Sequence, residues 1–248
     1  MGAMRIDKRT VVTRSKDLFH RATMKADIAV RHYEVTPAGR KRKALNNLGI
    51  QVLIDVGANK GQAASLYRRH GFRGEILSVE PDSGSFAVLE QKASKDPKWD
   101  VMHAAVGDKP GKMLLNISEE TQFNSLRPIT AMTVNNSAYA RYVQTEEVDV
   151  MTLDQIAAGY PADRPMGLKI DVQGFEEEVL NGAPQALARS TYVDIELTPV
   201  EMYEGQILML DLMRRMEQEG FTLLAMEDTY SDMKTGQVLG YNGVYCRL

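Results

Sequence analysis

One stretch limits the possible folds more than any other: Leu53-Ile54-Asp55-Val56-Gly57-Ala58-Asn59-Lys60-Gly61, an apolar run that breaks at a glycine turn and leads into a helical pattern. Gly57 lets the backbone turn and approach a ligand with no β-carbon in the way. A helix starting after Gly61 offers unpaired N–H groups. A strand–turn–helix opening of this kind belongs to a βαβ unit, and the chain goes on to repeat that alternation. Apolar runs at 51–56, 75–80, 99–105, 166–172, 191–197, 221–226 and 239–247 predict strands, with helices at about 61–70, 83–94, 175–180 and 206–219. Residues 112–117 and 146–150 read as added strands on either side of a polar, irregular stretch at 118–144. A loop of that length inside a compact domain is usually functional or mobile. The fold class is therefore α/β, built on a mostly parallel sheet.

Two parts follow from this pattern: a basic, helical N-terminal extension over 1–48 and an α/β domain over 49–248 that carries an inserted strand and loop region at about 112–150. Met1-Gly2-Ala3 before Met4 reads as an expression scar. Residues 5–43 predict one or two helices, with Leu18, Phe19, Met24, Ile28 and Val30 partly buried. The segment is either a solvated cap or a docking surface for an anionic substrate, and Arg40-Lys41-Arg42-Lys43 suits both roles. A net charge of -3 argues against a dedicated nucleic-acid binder. Cys246 stands alone, so an intrachain disulfide is impossible and cysteine-ligated zinc is disfavoured. That fits a reducing compartment, and the expected location is cytoplasmic. No apolar run reaches the roughly 20 residues that span a bilayer, and the N-terminus lacks the apolar stretch of a secretory signal. No membrane partner is expected, and a homodimer is the candidate assembly.

The spacing of the glycines selects the ligand. A dinucleotide site wants G-x-G-x-x-G, so that backbone meets pyrophosphate. Here the loop is G-x-x-x-G, with Asp55 just before Gly57. A carboxylate there repels pyrophosphate and attracts an ammonium or sulfonium group. S-adenosylmethionine has both cations and no phosphate, which makes it the expected cofactor. Glu80 ends the second strand before Pro81, about 20 residues past the loop, where an acid can bond both ribose hydroxyls. Ala105-Val106-Gly107-Asp108 can supply an adenine pocket in which Asp108 accepts from the exocyclic amine, or Asp108 can simply cap a turn. The candidate cofactor contacts are thus Asp55, Gly57, Asn59, Gly61, Glu80, Pro81, Ala105, Val106 and Asp108, together with Asp171.

Taken in order, these residues resemble the FkbM family of S-adenosylmethionine-dependent methyltransferases. The opening motif at Leu53 to Gly61, Val79-Glu80-Pro81, Ala104-Ala105-Val106-Gly107-Asp108 with Gly111, and Val150-Met151-Thr152-Leu153-Asp154 are each similar to family motifs. The most distinctive match is Leu168-Lys169-Ile170-Asp171-Val172-Gln173-Gly174-Phe175-Glu176, followed by Val179-Leu180-Asn181-Gly182-Ala183. The family usually has Glu where this chain has Gln173, which takes one charge out of the site. The likeness covers roughly 52–197. It implies a Rossmann-like class I methyltransferase fold: a seven-stranded, mostly parallel sheet with helices on both faces and an antiparallel final hairpin. It also implies O-methylation of a hydroxyl on a small molecule, sugar, glycan or natural product.

Methyl transfer needs an aligned acceptor oxygen, exclusion of water and a group that takes the proton. Asp171, at the carboxyl end of the fourth parallel strand, is the leading candidate for the base or for orienting the hydroxyl. Lys169 lies on the same strand face, where it can touch substrate or form a structural ion pair. Glu196 ends the following strand and is a candidate contact for the acceptor. Glu176 opens a helix, where the dipole favours an acid whatever its function. Asp171, Glu176 and Glu196 can be drawn together around a divalent cation, but their spacing does not demand one, and no metal is expected. His103 is expected to pack in the core. Asn124-Ser125 and the stretch Tyr139 to Tyr142 are candidate lid residues. Two alternatives stay open: a nicotinamide-dependent oxidoreductase, which the glycine spacing disfavours, and a cofactor-binding module without turnover, suggested by Gln173 and the absence of a histidine base.

Overall fold

The structure, a computed structural model, describes residues 33–247. The chain divides into two units. Of the first, Met1–Thr36, the description covers only its last residues, among them the 3-10 turn Tyr33–Val35. The helices expected before Tyr33, with Leu18, Phe19, Met24, Ile28 and Val30, lie outside the described residues. The second unit, Pro37–Leu248, begins with the helix Pro37–Asn47 and contains both sheets.

Its strands are β1 (Val52–Val56), β2 (Glu75–Val79), β3 (Trp99–Met102), β4 (Ala105–Val106), β5 (Gly111–Ser118), β6 (Tyr142–Met151), β7 (Met166–Ile170), β8 (Ser190–Leu197), β9 (Thr222–Ser231) and β10 (Val238–Cys246). Seven of them form one sheet in the order β3-β2-β1-β7-β8-β10-β9. The first five in that order run parallel, and β10 is antiparallel to both of its neighbours. The expected mostly parallel sheet with an antiparallel final hairpin is therefore the one observed. Every residue of β1 and β7 is buried, because a central parallel strand is covered on both faces. Val52, Ile54 and Val56 point into one core cluster with Leu168, Ile195 and Leu180, while Leu53 joins Ile76, Leu89, Trp99 and Tyr192 on the other face. Side chains buried this fully contribute roughly 1.5–3 kcal/mol each.

The chain departs from expectation after β3. A single strand was predicted over 99–105, but the pairing stops at Met102, and Ala105–Val106 crosses to a second, three-stranded sheet ordered β4-β6-β5. His103 sits at this break. It is exposed rather than packed in the core, bonded to the Pro81 carbonyl at 2.9 Å and stacked on Phe86. The residues expected to be irregular between the added strands contain the 3-10 turns Thr121–Phe123 and Ala138–Ala140 and the helix Ala131–Asn136, which Thr130 caps through its side chain.

One polar row crosses the large sheet. Ser78, Asp55, Lys169 and Asp194 are successive register partners on the face shared with Leu53. Lys41 reaches this row from the first helix. Its ammonium is buried and pairs with Asp194 at 2.9 Å and Glu227 at 3.0 Å. Tyr67 donates its hydroxyl to the same Asp194 at 2.6 Å.

Candidate active site

β1 has β2 on one side and β7 on the other, so the crevice beyond its carboxyl end lies where the strand order reverses, the position at which open α/β sheets bind ligands. Gly57 leaves β1 with φ +76°, and a Cβ there would stand 1.8 Å from the Asp171 carbonyl oxygen at the end of β7. The loop is tied down from both sides. The N–H groups of Gly57 and Ala58 donate to the Val79 carbonyl at 3.0 and 3.1 Å. Asn59, also left-handed at φ 47°, donates its N–H to Glu80 Oε2 at 2.7 Å. The other oxygen of Glu80 accepts from the Asp82 N–H at 2.9 Å. Burial pushes the Glu80 carboxyl up to about 7, against the pull of these two N–H groups.

A cavity of about 330 Å³ opens over this loop. Of the residues expected from sequence, Gly57, Asn59, Glu80, Pro81, Ala105, Val106, Asp171 and Glu196 line it. Asp55 lies behind the lining. It is fully buried and accepts from the Ser78 hydroxyl at 3.0 Å, which in turn accepts from the Trp99 indole at 3.0 Å. Burial raises Asp55 to about 6, although Lys169 and Ser78 counter that effect. Gly61 also stands away from the lining. Its missing β-carbon makes room for Trp99 and Leu89, whose atoms lie 2.8 and 2.9 Å from where it would be. Asp108 is exposed and paired with its neighbour Lys109 at 3.4 Å, outside the lining.

A cluster of acids lines the same cavity next to the glycine turn. Lys169 is buried and donates to Asp171 Oδ2 at 3.1 Å and Asn242 Oδ1 at 3.3 Å. Gln173 Nε2 donates to Asp171 Oδ1 and to Glu196 Oε2, each at 2.8 Å. Burial works to raise Asp171, but Lys169 and Gln173 outweigh it and hold that carboxyl below its ordinary range. Burial, the Asp171 charge and Glu176 push Glu196 well above. The surroundings thus favour the ionised form at Asp171 and the neutral form at Glu196. Glu176 is buried and serves the backbone, its Oε1 accepting from the N–H groups of Val172 at 3.1 Å and Gly174 at 3.3 Å. Among the described residues, no group of three or more His, Cys, Asp or Glu side chains is arranged to hold a metal ion.

The inserted region supplies contacts that sequence reasoning largely missed. Thr121, Gln122, Phe123, Asn124, Ser125 and Leu126 form a wall of the cavity. Thr121 donates its hydroxyl to Asn59 Oδ1 at 3.2 Å, and Ser125 donates its own to the Gln173 carbonyl at 2.6 Å. The insert thus touches both the glycine loop and the turn after β7. Asn124 and Ser125 were expected near the site, whereas Tyr139 projects outward with 64% of its surface exposed. Met202, Thr229 and Tyr230 also line the cavity, with Tyr230 edge-on to Phe123. No local signal marks them: Thr229 and Tyr230 reach the site through the pairing of β9 with β10, and Met202 through the loop after β8, where its carbonyl accepts from the Thr130 N–H at 3.0 Å.

A family model described as "Methyltransferase FkbM domain" matches residues 55–223. A relative from Sinorhizobium fredii (strain NBRC 101917 / NGR234), "2-O-methyltransferase NoeI", is 22% identical over 175 residues, which cover 67% of this chain and 72% of that one. Among solved structures, an rRNA methylase from Streptococcus thermophilus aligns at 8% identity over 89% of this chain and 99% of its own, with a TM-score of 0.48. A 1,6-didemethyltoxoflavin-N1-methyltransferase from Burkholderia thailandensis, solved with bound 1,6-didemethyltoxoflavin and S-adenosylhomocysteine, aligns at 13% identity over 100% of this chain and 93% of its own, with a TM-score of 0.42.

Proposed function

The chain belongs to the FkbM methyltransferase family and has the Rossmann-like class I methyltransferase fold, and from that premise we propose that it moves the methyl group of S-adenosylmethionine to a hydroxyl oxygen of a small molecule or carbohydrate. The observation that carries this reading is one cavity lined by a glycine turn, by Glu80 and by the Asp171–Glu196 pair. Its volume lies in the range of small-molecule sites. Among the described residues, no Lys or Arg lines it, which disfavours a polyphosphate or nucleic-acid ligand and suits a cation. A cytoplasmic site of action is part of the same reading, in keeping with the lone, buried thiol of Cys246.

The residues present fit the cofactor. Gly57 lets the loop lie against the Asp171 carbonyl while lining the cavity, the apolar stretch Ala104 to Val106 suits an adenine, and Glu80 is within the lining to accept from ribose hydroxyls. S-adenosylmethionine, when bound, supplies an electrophilic methyl group on a sulfonium that leaves readily. Asp55, buried behind the lining, would add negative potential that favours a cationic ligand in the cavity. Asp171 accepts a hydrogen bond from the acceptor hydroxyl, aligns its oxygen, and takes its proton as the new bond to carbon forms. Lys169 favours the ionised form of Asp171 for that task, and Glu196, in the neutral form that burial favours, bonds the hydroxyl from a second side. Thr121 to Leu126 exclude water.

Two measurements test the reading. Calorimetric titration with S-adenosylhomocysteine should show binding that Glu80→Ala weakens by about 10–100-fold, the worth of hydrogen bonds to a charged group. Transfer of labelled methyl to hydroxylated acceptors should fall about 10²–10⁴-fold in Asp171→Asn, as for loss of a proton acceptor. Binding of NAD with S-adenosylhomocysteine ignored would instead favour the oxidoreductase. The pH dependence has a definite sign. The Glu80 carboxyl sits near 7 rather than its ordinary 4.5, so the folded protein holds a proton there that the unfolded chain releases. This contribution to stability is full below about pH 4.5 and is lost as pH rises through about 7. A ligand that needs the ionised form must expel that proton. Affinity for S-adenosylhomocysteine should therefore rise about tenfold from pH 6 to pH 8, with proton release. Glu80→Gln should flatten the profile, and an equally steep profile in that variant would remove Glu80 from the site.

A further inference from the structure

Asp171 and Glu196 lie within hydrogen-bond reach of each other, and one further side chain donates to both. We propose that Gln173 is a positioning residue for the Asp171–Glu196 pair, and that Tyr203 sets the direction in which its amide faces. This rests on reading that pair as the binding point of the acceptor hydroxyl.

The geometry uses the amide completely. Its two N–H bonds go to different carboxyl groups, Asp171 Oδ1 and Glu196 Oε2, each at 2.8 Å. Its carbonyl oxygen accepts from the buried hydroxyl of Tyr203 at 2.8 Å. A flipped amide would set Oε1 against two carboxyl oxygens and leave the Tyr203 proton without an acceptor, a cost of about 1–3 kcal/mol for the orphaned donor alone. Separate parts of the chain fix the backbone that carries it. Gln173 has φ 54°, in the left-handed region that a side-chain-bearing residue rarely adopts. Glu176 holds the turn through the N–H groups of Val172 and Gly174, and Ser125 of the insert donates to the Gln173 carbonyl at 2.6 Å. A left-handed residue held from several sides is the kind of local strain that persists at functional sites.

The chemical consequence concerns charge. Two carboxyl groups that share a neighbour repel when both ionise, and something must offset that repulsion. Here a neutral amide donates to both acids beside their contact with each other, and the Lys169 ammonium donates to the other oxygen of Asp171. The other titratable groups facing the pair are Asp55 and Asp194 on the sheet, Glu176 in the turn and Tyr203, with Tyr142 of β6 next to Tyr203. The amide sets the separation of the two acids and the oxygens left to face the acceptor. Glu at this position would bring a third negative group to the same point.

The test reads the carboxyl groups directly. Protein labelled with ¹³C at Asp and Glu carboxyls is titrated by NMR, with the two signals assigned from Asp171→Asn and Glu196→Gln. Gln173→Glu, nearly the same size, and Gln173→Leu should each raise the pH at which the pair gives up its remaining proton by about one unit or more, a tenfold change in proton affinity. Tyr203→Phe should shift it the same way by less, and Tyr203→Phe combined with Gln173→Leu should match Gln173→Leu alone. Unchanged titration in both Gln173 variants would overturn the proposal, as would full additivity of the Tyr203 effect. If Gln173→Leu unfolds, Gln173→Glu carries the test. The readout needs no acceptor. A pair that titrates as expected while Asp171→Asn and Glu196→Gln leave methyl transfer intact would sink the functional reading and spare the positioning role.

Discussion

Replacing Lys169 by Met is expected to destabilise the protein by about 3–5 kcal/mol, the range seen when one partner of a buried charge network is removed. The Lys169 side chain is 5% exposed and bonded to Asp171. Its register neighbours are Asp55 and Asp194. Burial works against its charge, yet Asp171, Asp194 and Glu196 hold its pKa well above the ordinary lysine range. With the ammonium gone, these acids must protonate or stay buried without compensation. The deficit should therefore be greatest at alkaline pH and shrink as pH falls, because protonation then removes the repulsion. Urea denaturation of the variant and the parent at several pH values measures it. A loss below about 1 kcal/mol at every pH, the scale of an exposed pair, would mean that the network does not hold the strand ends together.

Gly57→Ala should be nearly as severe at the ligand. The added methyl would stand 1.8 Å from the Asp171 carbonyl oxygen and 2.8 Å from its carbon, both backbone atoms, at a residue with φ +76°. The loop must then move off β7, and the turn that presents Asp171 moves with it. S-adenosylhomocysteine affinity should fall by at least about 100-fold, some 2.7 kcal/mol. Thermal unfolding of the same sample separates this from collapse of the fold, because a shifted loop lowers the midpoint while leaving a cooperative transition. A variant that folds and binds within about threefold, under 1 kcal/mol, would show that the ligand does not depend on this turn.

Much of the sheet was legible because its central strands are unmistakable. Leu53 to Val56 and Met166 to Ile170 are apolar apart from Asp55 and Lys169, a pattern that fits strands buried on both faces. The helices Leu153–Ala157 and Pro184–Arg189 were not foreseen, since five or six residues give no helical period to read. Asp55, Glu80 and Asp171 could be nominated because each lies within one residue of the carboxyl end of an apolar strand. Lys41 could not: within Arg40-Lys41-Arg42-Lys43 it looks like one more solvated base, and only its pairing with Asp194, far along the chain, shows that it is buried. Met202, Thr229 and Tyr230 were hidden for a similar reason, as was the double hydrogen bond of Gln173, which depends on Glu196 across the crevice. Long-range contacts, rather than local propensity, decide these positions.

The Lys41–Asp194 contact also bears on where the domain begins. The family match starts at residue 55, but electroneutrality inside the sheet reaches back to the first helix. A shortened chain cut to the recognisable motifs would expose one side of β9 and strand an anion in the interior. The smallest piece that is self-sufficient is thus longer than the smallest piece that is recognisable, and its upstream limit is set by a single ammonium group.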